Sequence, residues 1–302
     1  MNKFALSSVF ALSALAAACS EAPQQTEAPQ EPTAAVEEQA MQEEMMTETA
    51  GLTLADVAAS DLRSDSNKAR DAFRHPVETL EFFGLEPDMT VVEIWPGGGW
   101  YTEILAPYLK DQGMLYAAHF PADSSSDYFN RSRTAFAERI ASDDAFSAIT
   151  MTEFNATAAT EVAPAGSADM VLTFRNLHNW YMAAGEEGLQ TAFSTFYTAL
   201  KPGGVLGVVD HRLPEDRPDE EMSSSGYMKE SVAIAMAEAA GFELVGSSPI
   251  NANEMDTADH PRGVWTLPPS LRLGDEDREK YLAIGESDRF TLKFMKPTTT
   301  QE

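Results

Sequence analysis

From residue 70 onward, short apolar runs alternate with stretches whose apolar positions recur every three or four residues. The runs at residues 90–94, 114–118, 148–154, 170–174 and 205–209 show little of the in–out alternation of a half-exposed strand. Continuous runs of this length predict strands covered on both faces. Between them, residues 101–109, 127–140 and 187–200 have the period of amphipathic helices. Ahead of the first strand, RDAFRHPVETLEFFG sets Phe73, Val77, Leu80 and Phe83 on one helical stripe, and Gly84 stops that helix. Residues 242–247 and 289–294 read as two further strands.

This alternation predicts an α/β domain over residues 51–298, a doubly wound, mainly parallel sheet of seven strands. The rhythm lapses between residues 249 and 288, an insertion of about forty residues before the last strand and far longer than an ordinary connection. It contains DHPRGVWTLPPSLR, a tryptophan between turn signals. Loops of this kind serve as lids or binding elements, or are decorative insertions. No internal repeat is visible.

The amino terminus follows other rules. Lys3 precedes an apolar run ending in small residues before Cys19, which predicts a signal peptide over residues 1–19. Leu15-Ala16-Ala17-Ala18-Cys19 resembles a bacterial lipobox, with the leucine one position early, and Cys19 is the only cysteine of the chain. A sole thiol excludes internal disulfides and suits lipid attachment. Residues 20–50 are rich in glutamate and proline, contain no lysine or arginine, and predict a disordered acidic tether. The expected location is the bacterial cell envelope, with membrane contact only through the lipid. A formal net charge of −27 argues against nucleic acid as partner; the expected partner is a small-molecule substrate.

Ligands of open parallel sheets bind beyond the carboxyl ends of the strands. There, TVVEIWPGGGWYTEIL joins an apolar run ending in Glu93-Ile94 to Gly97-Gly98-Gly99 and a helix start. Glycines let the backbone approach a ligand, and the helix start offers free N–H groups.

The motifs VVEIWPGGGWYTEILAPYL, VLTFRNLHNW and LKPGGVLGVVDHR make residues 70–297 resemble the class I S-adenosylmethionine-dependent methyltransferases, in particular predicted bacterial members. The resemblance implies a Rossmann-like methyltransferase fold and S-adenosyl-L-methionine as cofactor. It places Glu93, Gly97, Gly98 and Gly99 around the methionine and ribose, and His119 where the family keeps a ribose-binding acid. It sets Asn155 against the adenine, and Asn176 and His178 over the methyl acceptor. Trp95 and Pro96 depart from the family's small residues.

Of the five histidines, His119, His178 and His211 follow predicted strands, and His75 precedes a proline as a capping or packing residue. Methyl transfer needs a base for the acceptor's proton, for which His178, His211 and Tyr101 are the candidates. In Asp210-His211-Arg212 the acid is placed to orient the imidazole and the arginine to hold an anionic acceptor. Ends of non-adjacent strands do not converge on one ion, so no metal site is expected. Because S-adenosylmethionine is a cytosolic metabolite, the export signal leaves two other readings. One is a catalytically inactive methyltransferase-fold binding protein of the envelope; the other is hydrolytic or metal-assisted chemistry on the histidines.

Overall fold

The computed structural model describes residues 52–298. The signal peptide, Cys19 and the acidic segment lie outside the described residues. Seven strands form one sheet: β1 (Thr90–Ile94), β2 (Met114–His119), β3 (Ile149–Glu153), β4 (Ala168–Phe174), β5 (Leu200–His211), β6 (Glu243–Ser248) and β8 (Arg289–Met295), in the order β3-β2-β1-β4-β5-β8-β6. A short strand, β7 (Pro261–Val264), belongs to the long insertion. The first five pair in parallel, and β8 runs antiparallel to both β5 and β6. The order reverses beside β1, whose neighbours are β2 and β4, so a crevice opens at its carboxyl end.

The missing alternation has its cause in two cores. Val92, Ile94, Val208 and Leu292 pack on one face with Trp180, Phe193 and Phe196. Val91, Met170 and Leu172 pack on the other with Leu80, Phe83 and Leu105. Successive residues of one strand thus serve opposite cores, and both must be apolar.

Helices cover both faces: α1 (Leu54–Ala59), α2 (Asp65–Lys68), α3 (Asp71–Arg74), α4 (Pro76–Phe83), α5 (Thr102–Leu109), α6 (Asp127–Ala141), α7 (Leu177–Ala199), α8 (Glu230–Ala239) and α9 (Arg278–Ile284). The single helix expected over Phe73–Phe83 is two. A residue before proline is driven out of the right-handed helical region, and His75 adopts φ 39°, closing α3 and preceding α4. Phe73 consequently leaves the stripe and is 43% exposed. Helix α7 starts ten residues earlier than its period suggested, because its first segment is set off by a break at Ala184-Gly185. Helix α8 has no large apolar stripe; it buries Ala233 and Ala237, which permit close approach.

Gly207 of β5 lies at a tight contact between sheet and helix: a Cβ there would lie 2.7 Å from both Leu172 and the Phe83 ring. Gly207→Ala is therefore expected to cost roughly 1–3 kcal/mol by overpacking, read from urea unfolding. Unchanged stability would show that α4 and β4 move apart freely at this point.

Candidate functional site

The loop after β1 is set by one side chain where glycine is usual. Trp95 takes φ 49°, a left-handed backbone unfavourable for a bulky residue. Its backbone N–H donates to the Ala118 carbonyl (2.8 Å) and its indole Nε1–H to the Phe154 carbonyl (3.0 Å). The ring packs edge-on against Phe120, Phe154 and Trp180. These contacts offset the backbone strain and hold the following glycines in place. A Cβ on Gly97 or Gly98 would meet nothing within 4 Å, so this turn opens onto free space.

Not every residue assigned to the cofactor faces that space. Gly99, at φ 86°, looks toward Phe136 and Thr102. Glu93 is buried and accepts a hydrogen bond from the Thr102 hydroxyl (2.6 Å), fastening β1 to the first turn of α5. Burial pushes its carboxyl up to about 7, against the lowering effect of Thr102. His119 is fully buried, with both ring nitrogens engaged. Nδ1 accepts from the Phe120 N–H (2.8 Å), so Nε2 carries the proton and donates to the Gly97 carbonyl (3.1 Å). Burial, partly opposed by that bond, lowers its pKa to about 4. Expected to replace a ribose-binding acid, His119 instead ties the glycine loop to β2. The carboxylate on this side of the crevice is Asp123, in the loop after β2.

The crevice is a cavity of about 960 Å³, at the upper end of the range for small-molecule sites. Phe120, Asp123, Phe129 and Asn155 form one end; Gly97 and Gly98 form the middle; Asn176, His178 and His211 lie at the other. Asn155 lines the wall while its Oδ1 accepts from the Thr157 N–H and hydroxyl. Asn176 also lines it, but its amide is spent on the Ile94 carbonyl (2.9 Å) and Thr173.

His178 and His211 meet because β4 and β5 are neighbours, so the start of α7 and the end of β5 arrive side by side. Their ring centroids are 5.0 Å apart. Asp210 orients His178, not its sequence neighbour's ring. Its Oδ1 receives His178 Nδ1–H (2.8 Å) and the His211 N–H (2.7 Å), while Oδ2 receives the His178 N–H (3.1 Å). In that tautomer His178 Nε2 is the ring nitrogen that can accept. The His211 Nδ1 bonds to the Ser287 hydroxyl. Burial, with His178 and the nearby Arg289, Arg175 and Arg74, holds His211 well below the ordinary imidazole range, and it is neutral near pH 7.

Candidate ligand atoms of His178, Asp210 and His211 lie within 4.8 Å of one another. Asp210 already accepts three hydrogen bonds, and arginines stand beside His211, a setting that repels a cation. The trio suits proton handling better than metal binding. Tyr101 does not join it. Its ring stacks on Phe174 at 3.5 Å, its hydroxyl points to the Arg74 carbonyl, and burial pushes its pKa up to about 12, so it is no base. Arg212, expected to hold an anionic acceptor, is paired with Asp288 (2.9 Å) and Glu230 (3.3 Å) instead.

Arg70, Arg74, Arg175 and Arg289 line the cavity with Glu286. The antiparallel β8 begins at the carboxyl edge, with Arg289 opposite His211, so the last strand delivers its first residues and those preceding them to the site. The insertion contributes Trp265, Pro268 and Pro269 to the wall.

The burial of Glu93 gives a signed expectation. Its folded pKa, about 7, exceeds the ordinary 4.5, so the folded state holds the proton more tightly and loses stability as pH rises from 4.5 to 7. Glu93→Gln keeps the Thr102 bond without the charge and should gain up to roughly 3 kcal/mol on wild type between pH 5 and pH 8. His119, with its lowered pKa, acts oppositely as pH falls from 6.5 toward 4, but both proteins share it and it cancels. Urea unfolding at the two pH values measures this difference; an equal offset at both would overturn the account of Glu93.

No protein-family model matches the chain, and no curated protein matches it. Solved structures do. The [4+2]-cyclase SpnF is 16% identical with a TM-score of 0.52, over 80% of this chain and 86% of its own. A putative sarcosine dimethylglycine methyltransferase from Galdieria sulphuraria is 12% identical with a TM-score of 0.52, over 87% of this chain and 99% of its own. At these identities the likeness is one of fold. Together with the strand order and the antiparallel β8, it shows that the chain has the seven-stranded, Rossmann-like methyltransferase fold.

Proposed function

We propose that the chain is a class I S-adenosylmethionine-dependent methyltransferase acting on a small-molecule acceptor. The observation that carries this reading is one continuous cavity with an open glycine turn at its middle and an Asp210-oriented His178 at its far end. The residues at the near end fit the cofactor: an aromatic wall, Phe129 stacked on Phe120, for a base, Asp123 for sugar hydroxyls, and Asn155 as a polar contact. Gly97 and Gly98 leave room for the ligand to approach the backbone. When bound, the sulfonium supplies a methyl group already activated for transfer.

The chain's own task is alignment and proton removal. The Nε2 of His178 takes the acceptor's proton, while Asp210 fixes the tautomer that leaves this nitrogen free and stabilises the imidazolium that forms. Neutral His211 adds no opposing charge of its own. Trp265, Pro268 and Pro269 wall off water from the far end.

Gly98→Val should place a side chain in the ligand's space without touching the fold. Wild type should be stabilised by S-adenosylhomocysteine, by about 2.7 kcal/mol at a hundredfold excess over Kd, and the variant should melt like unliganded wild type with or without it. A wild-type protein that neither S-adenosylmethionine nor S-adenosylhomocysteine stabilises would sink the proposal.

A lipid on Cys19 would hold the protein at a membrane of the bacterial envelope, a reading supported by the apolar leader and the solitary thiol. Cys19→Ser should then move the protein from the membrane to the soluble fraction on cell fractionation. Retention of the variant at the membrane would refute the anchor.

A further inference from the structure

In a chain of net charge −27, the cavity floor is locally positive. Glu286 is the carboxylate among four guanidiniums there. It bonds Arg70 Nε (2.6 Å), Arg74 Nε (3.0 Å) and Arg289 Nη2. Burial would raise the Glu286 carboxyl, yet Arg289, Arg74 and Arg70 together hold it down at about 2, so it is a full negative charge. Arg175 is not among its partners. Four arginines against one glutamate leave three positive charges uncompensated.

Their hydrogen-bonding capacity is only partly spent: Arg289 Nη1 donates to the Phe73 carbonyl (2.9 Å) and the Arg74 guanidinium lies over the Trp100 ring. Both Nη atoms of Arg74, Nη2 of Arg70 and Nε of Arg289 are buried and find no acceptor among the described residues. Arg74 and Arg289 are each only 2% exposed. Native proteins rarely leave such donors unpaired, and buried charge without a partner is costly. Arg175 adds a second expense, because it takes φ 61° although it is not glycine. Backbone strain of this kind collects at ligand-binding positions. Mutual repulsion is visible in the arginines themselves: burial, then Arg289, lowers Arg175 to about 10.

We propose that Arg74, Arg175 and Arg289, with Arg70, form an oxyanion-binding subsite for the methyl acceptor, which is therefore a small molecule carrying carboxylate or phosphate groups. The inference rests on reading the cavity as a methyl-transfer site. Planar guanidinium forks match carboxylate and phosphate oxygens in pairs. The subsite adjoins the proposed base, because Arg289 pairs in register with His211 and Arg175 is three residues before His178. An anion held there would present a neighbouring nucleophile to His178. Three excess charges also exceed what the single carboxylate of the cofactor would neutralise.

The test uses the full chain and thermal melting in inorganic phosphate or malonate, at ionic strength matched with sodium chloride. At least one anion should raise the wild-type melting temperature beyond chloride, and which one distinguishes a phosphate from a carboxylate acceptor. Arg175→Gln should melt no lower than wild type without anion, because it removes repulsion and no ion pair. It should bind the anion about tenfold more weakly. Arg74→Gln should show the same loss, and Arg175→Gln decides the matter if that variant does not fold. Failure of both anions to stabilise wild type, or equal affinity in Arg175→Gln, overturns the subsite. Each anion is also titrated with S-adenosylhomocysteine present. Simultaneous binding supports an acceptor site; mutual exclusion would give the arginines to the cofactor's own carboxylate and overturn the proposal. Anion binding without any S-adenosylhomocysteine binding would keep the subsite as an anion site while refuting the methyltransferase reading on which its role depends.

Discussion

One buried carboxylate organises the reactive end of this protein. Asp210 is fully buried, and a carboxyl group so placed needs hydrogen bonds to replace its lost water. Three N–H donors do so, two from the backbone of His178 and His211 and one from the His178 ring. The same bonds fix the start of α7 against the end of β5. The ring position, its tautomer and the junction of the two elements are thus one constraint. A neutral amide in place of Asp210 would alter all three together.

Between about pH 4 and 7 the glycine loop is held by groups that carry no full charge. Glu93 and His119 both sit under the glycine loop, one an acid whose proton is held more tightly, the other a base that releases its proton early. Each is neutral through much of the mildly acidic range. Their hydrogen bonds, to Thr102 and to the Gly97 carbonyl, position the turn from below and leave its upper surface free.

The strands were readable because burial on both faces forces continuous apolar runs, and a mainly parallel sheet follows from their alternation with helices. The gathering of His178 with His211 was readable only in part. Both follow strands, but their meeting needs β4 beside β5, which the residue pattern does not state. Glu93 and His119 were assigned to the ligand because strand-end position alone cannot say which way a side chain turns. Tyr101 was misplaced for the same reason. The arginines escaped notice for two different causes. Arg70 and Arg74 belong to a short polar segment that looks like an ordinary solvated helix face. Arg289 opens a strand, and attention to strand ends overlooks that an antiparallel strand presents its beginning at the same edge. The overall acidity of the chain also concealed a local reversal of sign.

The direction of β8 has a wider consequence. Because β6 is antiparallel to β8 and β8 to β5, β6 ends at the edge where β8 starts. The segment of residues 249–288 therefore leaves the sheet and re-enters it on the ligand side. Its two anchor points do not depend on its length. Parts of it are bound into the fold, with Ala258 and Val264 in one core and Asn251 bonded to Thr79 and Thr291, whereas Trp265, Pro268, Pro269 and Ser270 reach the crevice wall. One excursion of the chain thus serves two ends, closing a core with some of its residues and shaping the crevice with others.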